Sequence, residues 1–372
     1  MSGALNQIIG QHLIVGVSGF VLTADEKDFL IQNNIGGVIL FQRNFQNPKQ
    51  IYDLCAEIQG LSLKTKDKIP FFIGIDMEGG RVQRLKAPFT QWPAVQNLGK
   101  LDNPMLSFSF AHRMGLELHS VGINLNFAPC ADVLTNPKNQ VIGDRALSDK
   151  VEVVDKHISA LVRGYIKAGV LPCVKHFPGH GNTLLDSHEQ LPVEDFDLSR
   201  LESLELIPFK KAFRSRVDMV MTAHIQFPKI DPEWPVTLSQ VFLQDILRKN
   251  LRYRGLIFSD DLDMKALRNH YGVEEIPVRA LQAGVDLLLY CNEPQSPLVA
   301  LDAITNAVAQ SKLSRTELEA SYKRIVDYKK EKLKPSEALS FQEASKFVGH
   351  PEHLKIAEAI KEGRIPEGLS PE

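Results

Sequence analysis

The sequence predicts an α/β fold: a single (β/α)8 TIM-type barrel with a short helical C-terminal extension. Three observations predict it. Eight short apolar segments recur at intervals that suit one strand plus one helix. Segments with helical periodicity lie between most of them. Titratable residues stand at several strand ends, where such barrels carry their active sites. A doubly wound open sheet would need a glycine-rich phosphate turn after its first strand. Gly16-Val17-Ser18-Gly19-Phe20 lacks the G-x-G-x-x-G spacing, so the barrel is preferred.

The strand-like segments are residues 13–17, 37–41, 71–76, 123–128, 171–176, 219–224, 255–260 and 286–290. They are short apolar runs, the pattern of strands buried on both faces. Helices are expected over 25–32, 48–61, 105–120, 150–168, 199–214, 239–247, 275–283 and 297–309. In 48–61, Ile51, Leu54, Cys55 and Ile58 fall on one face. Beyond the eighth strand, Ser314 is placed to cap a further helix, with Glu317 as its capping-box partner. The barrel is assigned to residues 1–334. Residues 335–372, charged and ending in a polar stretch with Pro366, Gly368 and Pro371, are expected to pack on the barrel or trail from it.

Composition excludes several classes. The 372-residue chain is 44% hydrophobic and 24% charged, with a formal net charge of −2, so it has ordinary globular composition. No basic field exists to attract nucleic acid or an anionic membrane. No apolar run is long enough to span a bilayer, and Met1 to Gln7 lacks the charged and apolar regions of a secretory leader. Cys55, Cys130, Cys173 and Cys291 are scattered and read as buried thiols. A cytoplasmic monomer without cofactor is expected.

The most informative stretch is Lys175-His176-Phe177-Pro178-Gly179-His180-Gly181-Asn182-Thr183-Leu184-Leu185-Asp186-Ser187-His188. It follows an apolar run directly, as a loop bearing catalytic groups does. Pro178 and Gly179 separate His176 from His180, so the two cannot share a helix face, and no metal motif is present. Asp186 and His188 suit a dyad, since a carboxylate fixes an imidazole tautomer and raises its basicity. Gly179, Gly181 and Asn182 suggest a flexible flap. Asp260, at the end of an apolar strand, reads either as a nucleophile or as a helix cap. Asp76, Arg81 and Arg84 flank the Gly79-Gly80 turn, and carboxylates and arginines suit sugar hydroxyls. His224 ends another strand, and Arg145 lies in the loop after the fourth.

Together these segments resemble bacterial β-N-acetylhexosaminidases of glycoside hydrolase family 3, the NagZ type. The matching pieces are Gly36 to Phe41 with Arg43-Asn44, Ile75-Asp76 through Arg84, Val141 to Ser148, Lys175 to His188, Phe258 to Leu262, and Ala283-Gly284-Val285-Asp286. The similarity spans roughly residues 10–330. The resemblance implies a retaining exo-β-N-acetylglucosaminidase acting on peptidoglycan-derived muropeptides in cell-wall recycling. It makes Asp260 the nucleophile and His188, assisted by Asp186, the acid/base. It carries sugar binding onto Asp76, Arg84, Arg145, Lys175 and His176, with no metal. Asn182 stands where many relatives have Asp, and His180 receives no role. The chain is too short for the second, sandwich domain of many members. Three rivals are attack by the substrate's own acetamido group, phosphorolysis by the same barrel, and a non-catalytic sugar-binding barrel.

Overall fold

The computed structural model of the protein describes residues 2–187, 189–333 and 339–366. Eight parallel strands close into a (β/α)8 barrel: Leu13–Gly16, Gly37–Leu40, Phe72–Ile75, Leu125–Asn126, Leu171–Phe177, Met219–Thr222, Leu256–Asp261 and Leu287–Tyr290. Neighbours in sequence are neighbours in the sheet, and the last strand closes on the first, Leu13 opposite Leu288. Each strand falls within or overlaps its predicted segment.

Alternation along the strands divides the core in two. Ile14, Ile39, Phe72, Leu125, Cys173, Met219, Leu256, Phe258, Leu287 and Leu289 fill the barrel interior. Val15, Val38, Ile73, Val174, Val220, Ile257 and Leu288 face the surrounding helices. This alternation sets which residues at the strand tops point toward the barrel axis.

The predicted helices appear in order, two of them altered, and helices Ser2–Gly10, Val95–Leu101 and Lys265–Arg268 form where none was expected. The expected helix over 199–214 divides into Leu198–Ser203 and Leu206–Arg214. Leu204, at φ −141°, leaves the helical region at the break. The break places buried Glu205 within 3.0 Å of Arg200 and against Gly179. The expected helix over 239–247 forms as Val241–Asn250, with π-helical winding. Helix Arg315–Lys332 is capped by Ser314, whose hydroxyl accepts the Glu317 N–H at 3.3 Å.

Helix Arg315–Lys332 also closes the N-terminal end of the barrel. Its Ile325 joins the interior cluster, and its Tyr328 ring lies 6.4 Å from that of Phe72. Lys329 is buried over the Phe72 ring, donating to Gln11 Oε1 and the Gly36 carbonyl. Burial drives this ammonium well below its usual pKa. Under the same helix, fully buried Asp286 accepts from Arg248 and Arg324, both at 2.7 Å, and from Ser321 Oγ at 2.6 Å. Asp286 also accepts the Ile257 N–H at 2.9 Å, so one carboxylate ties two adjacent strands to two helices.

Helix Pro351–Lys361 packs on helix Pro104–Ser120, where His353 Nδ1 lies 2.8 Å from buried Glu117. The same carboxylate accepts the Thr90 N–H at 3.0 Å. Among the described residues no helix is long and apolar enough to cross a membrane. All four cysteines are buried and free.

Removing Asp286 leaves two arginines partly desolvated without their partner. Asp286→Ala is therefore expected to destabilise the fold by about 3–5 kcal/mol, read as the shift in urea midpoint at constant slope. Burial opposes the Asp286 charge, but Arg248 and Arg324 outweigh it and hold the group below its ordinary 3.8. A lowered carboxyl stabilises above its unfolded pKa. Wild-type stability from this group should therefore persist at neutral pH and fade as pH drops below about 4, while Asp286→Ala lacks that component.

Candidate active site

Strand alternation builds the site. On the third strand Phe72 points inward, and two steps of two lead through Gly74 to Asp76. On the fifth, inward Cys173 is followed by Lys175, and on the seventh, inward Phe258 is followed by Asp260. Three chemically capable side chains therefore rise above one apolar floor. The Cys173 thiol, driven up by burial, also senses the charges of Lys175, Asp76 and Asp260 from beneath them.

Charges alternate in sign around this cavity. Lys175 Nζ donates to Asp76 Oδ1 at 2.7 Å and lies 2.7 Å from Glu78 Oε1. Arg84 Nη2 donates to Asp76 Oδ2 at 3.3 Å. Glu78 receives the Arg145 fork, Nε and Nη2 each at 2.9 Å. Arg145 Nη2 then lies 3.3 Å from His176 Nε2, and His176 Nδ1 lies 2.8 Å from Asp132 Oδ2. The structure thus brings Asp76, Arg84, Arg145, Lys175 and His176 into one network. Burial would raise Glu78, yet Arg145 and Lys175 outweigh it and hold the carboxyl far below its usual range. Burial would neutralise Lys175, but Asp76 and Glu78 keep it charged.

Local chain geometry sets these positions. The hairpin Met77–Gly79 with Val82–Gln83 turns through Gly79 and Gly80, at φ +95° and +58°. Arg81 does not enter the cavity. Its guanidinium grips Asp144 at 3.0 Å and the Gln140 and Val141 carbonyls at 2.6 Å, fastening the hairpin to the loop that carries Arg145. The register between the fifth and sixth strands shifts from Val174 to Phe177. Lys175 and His176 both reach the charged network, while Phe177 packs outward against Phe209.

Asp260 and Asp261 differ in direction. Asp261 follows the outward alternation, and its Oδ1 accepts the Asp263 and Cys291 N–H groups at 3.1 and 3.3 Å. Burial, with nearby Asp263 and Asp260, pushes its carboxyl up to about 7. Asp260 Oδ1 accepts the Asp261 N–H at 2.8 Å. His224 Nε2 donates to the Asp261 carbonyl at 3.0 Å, so this strand-end histidine steadies the chain beside Asp260.

The first part of the loop after the fifth strand is packed against its neighbours. His176 to Gly181 and Thr183 are buried. A Cβ on Gly181 would fall 1.8 Å from the Val133 carbonyl, so this glycine serves close approach. Asn182 donates to Glu194 Oε2 at 2.8 Å and accepts from Thr135 Oγ1 at 3.0 Å. Exposure begins at Leu184 and Leu185, and Asp186 is half-buried. The Asp186 carbonyl accepts the Glu189 and Gln190 N–H groups, both at 2.9 Å. His188 lies outside the described residues.

Sequence reasoning missed three participants. Glu78 was hidden among acids of a turn, although Asp76-Met77-Glu78 places two carboxylates at a spacing of two. Buried Asp132 gave no signal apart from following a strand-like segment. Phe41 ended the second strand-like segment unremarked, yet the Arg84 guanidinium lies 5.3 Å from its ring and that of Arg43 4.6 Å. Cys130, Asp132 and His176 bring donor atoms within 4.8 Å of one another. They do not suit a cation. The Cys130 thiol is held protonated by burial and by Glu78, and both imidazole nitrogens of His176 already face Asp132 or Arg145.

Comparisons with known proteins identify the family. The model of the glycosyl hydrolase family 3 N-terminal domain matches residues 4–328. A β-hexosaminidase of Nitrosomonas eutropha is 38% identical over 290 residues, 76% of this chain and 81% of that protein. A β-N-acetylglucosaminidase of the family from Paenibacillus sp. str. FPU-7 superposes with a TM-score of 0.92 at 37% identity, covering 96% of this chain and 68% of that one. NagZ of Neisseria gonorrhoeae, solved with N-trifluoroacetyl-D-glucosamine, superposes at 0.76 and 30% identity, covering 95% and 98%. The chain therefore belongs to glycosyl hydrolase family 3 and is a glycoside hydrolase of its bacterial β-N-acetylhexosaminidase group.

Proposed function

We propose that this enzyme is a retaining exo-β-N-acetylglucosaminidase that releases terminal β-linked N-acetylglucosamine from peptidoglycan-derived muropeptides. In this reading it works as a cytoplasmic monomer in cell-wall recycling. The observation that carries it is the convergence of Asp76, Lys175 and Asp260 above one barrel floor, with Arg84 and Arg145 beside them. A sugar has adjacent hydroxyls that both donate and accept, and this ring of paired charges offers both functions. The N-acetyl preference is supported by the sugar analogue bound in the gonococcal relative.

The reaction proceeds by double displacement. Asp76, Arg84, Arg145, Lys175 and His176 bind the sugar hydroxyls and aim its anomeric carbon at Asp260. The Asp260 carboxylate forms a bond to that carbon as the bond to the leaving oxygen breaks. His188, as imidazolium, gives its proton to the departing oxygen. Neutral His188 then takes a proton from water, whose oxygen attacks the anomeric carbon and frees Asp260. Asp186 orients the imidazole and stabilises its charged form. A neutral imidazole as base places no second anion beside the departing Asp260 carboxylate.

Asp260→Ala is expected to lower turnover by more than about 10³-fold without loss of fold, while Asp261→Ala keeps most activity. The reverse pattern would exchange the two aspartates. A 2-fluoro sugar should label the peptide containing Asp260, read by mass spectrometry; no label would favour attack by the acetamido group. His188→Ala should lose about 10²–10⁴-fold on substrates with poor leaving groups and far less on activated aryl glycosides. Added phosphate should leave free sugar as the product, and accumulation of the sugar 1-phosphate would reassign the enzyme to phosphorolysis. An aryl β-N-acetylglucosaminide should be cleaved in preference to the plain β-glucoside.

A further inference from the structure

His180 is the histidine of the Lys175-to-His188 stretch to which the mechanism assigns nothing. It is fully buried, and its surroundings are specific. Its N–H donates to Asp132 Oδ1 at 2.7 Å, the carboxylate that also holds His176. Its ring Nδ1 lies 2.8 Å from Thr183 Oγ1 and its Nε2 3.0 Å from Ser187 Oγ. Asn139 Nδ2 donates to the Thr183 hydroxyl at 3.3 Å, and that hydroxyl also lies 3.2 Å from the His180 carbonyl. Both ring nitrogens are thus engaged, one by Thr183 and the other by Ser187. Burial, with neighbouring His176, pulls the imidazole down to about 4, so the ring is neutral at neutral pH.

Ser187 is the residue between Asp186 and His188 in the chain. It is buried although Leu184, Leu185, Glu189 and Gln190 around it are exposed. Its side chain is held by His180. Its carbonyl accepts the Ala266 N–H at 3.3 Å, from helix Lys265–Arg268, which follows Asp260 by a few residues. Lys265 of that helix also meets Glu189 at 2.5 Å. Ser187 is thus the point where the loop is pinned to the sugar-binding network on one side and to the segment after Asp260 on the other.

We propose that His180 is a positioning residue for the proton-transfer dyad. Through the Ser187 hydroxyl it fixes the loop residue flanked by Asp186 and His188. Through Asp132, His176 and Arg145 it fixes that residue relative to the bound sugar. This inference rests on the reading of Asp186 and His188 as acid/base. A positioning fault of this kind impairs proton delivery to the leaving oxygen more than it impairs sugar binding, since Asp76, Arg84 and Lys175 remain in place.

The test compares Ser187→Ala, His180→Asn and His180→Gln with the wild type and His188→Ala. Two substrates are used: an activated aryl N-acetylglucosaminide and an N-acetylglucosaminyl disaccharide with an alkyl-type leaving oxygen. Ser187→Ala and His180→Asn should lose about 10- to 100-fold in kcat/KM on the disaccharide and only a fewfold on the aryl substrate. Affinity for free N-acetylglucosamine should be unchanged. His180→Gln, whose amide nitrogen reaches the place of Nε2, should recover part of the loss, and the double variant should be no worse than His180→Asn. Equal losses on both substrates in Ser187→Ala and His180→Asn, with the leaving-group split intact in His188→Ala, would overturn the role of His180 alone. A His188→Ala enzyme without that split would overturn the dyad, and the role of His180 with it.

Discussion

Glu78 is the constraint on which the catalytic face depends. It lies almost fully out of water, as do its partners Lys175 and Arg145. Removing such charges from water costs several kcal/mol per ion, and only close, well-directed partners offset the cost. Glu78 is the shared partner. It takes one hydrogen bond from each of two Arg145 nitrogens and lies beside the Lys175 ammonium that also meets Asp76. Without its negative charge the two cations would face each other where water barely reaches. The predicted sugar-binding residues are therefore the outer members of an array whose centre is a residue with no assigned contact to sugar.

The barrel was legible in the sequence because parallel strands buried on both faces read as apolar runs, and the eight segments did so, although Asn124 and Asn126 interrupt the fourth. Helix ends were less legible. The break at Leu204 arises because buried Glu205 must meet Arg200 and pack against Gly179, and a contact that distant in the chain leaves no local signal. At the site, residues at strand ends were found and residues acting through them were not. Asp260 could be told from Asp261 only by resemblance until the inward alternation of Leu256 and Phe258 was known. Arg81 and Arg84 likewise looked equivalent, yet one fastens a hairpin and the other meets Asp76. Glu78 and Asp132 were missed because their significance lies in cations contributed by other strands and loops.

The two ends of the barrel solve the same electrostatic problem for different purposes. At the N-terminal end, Asp286 holds Arg248 and Arg324 in a cluster sealed by helix Arg315–Lys332. Lys329 of that helix has no carboxylate partner among the described residues, and burial lowers its pKa. At the C-terminal end Lys175 keeps its charge because Asp76 and Glu78 surround it. Burial thus acts on two lysines of one chain with opposite net results, and the carboxylates around Lys175 make the difference.

The close approach of Gly181 to the Val133 carbonyl has a consequence for the energetics of turnover. A loop hinged at Pro178 would have to order many residues each time a substrate arrived, at a cost on the order of 1–2 kcal/mol of backbone entropy per residue. Here residues up to Thr183 are ordered in advance by contacts that exist without substrate: Gly181 against Val133, Asn182 between Thr135 and Glu194, and His180 on Asp132. That share of the ordering cost is met once, on folding, rather than at each encounter with a substrate.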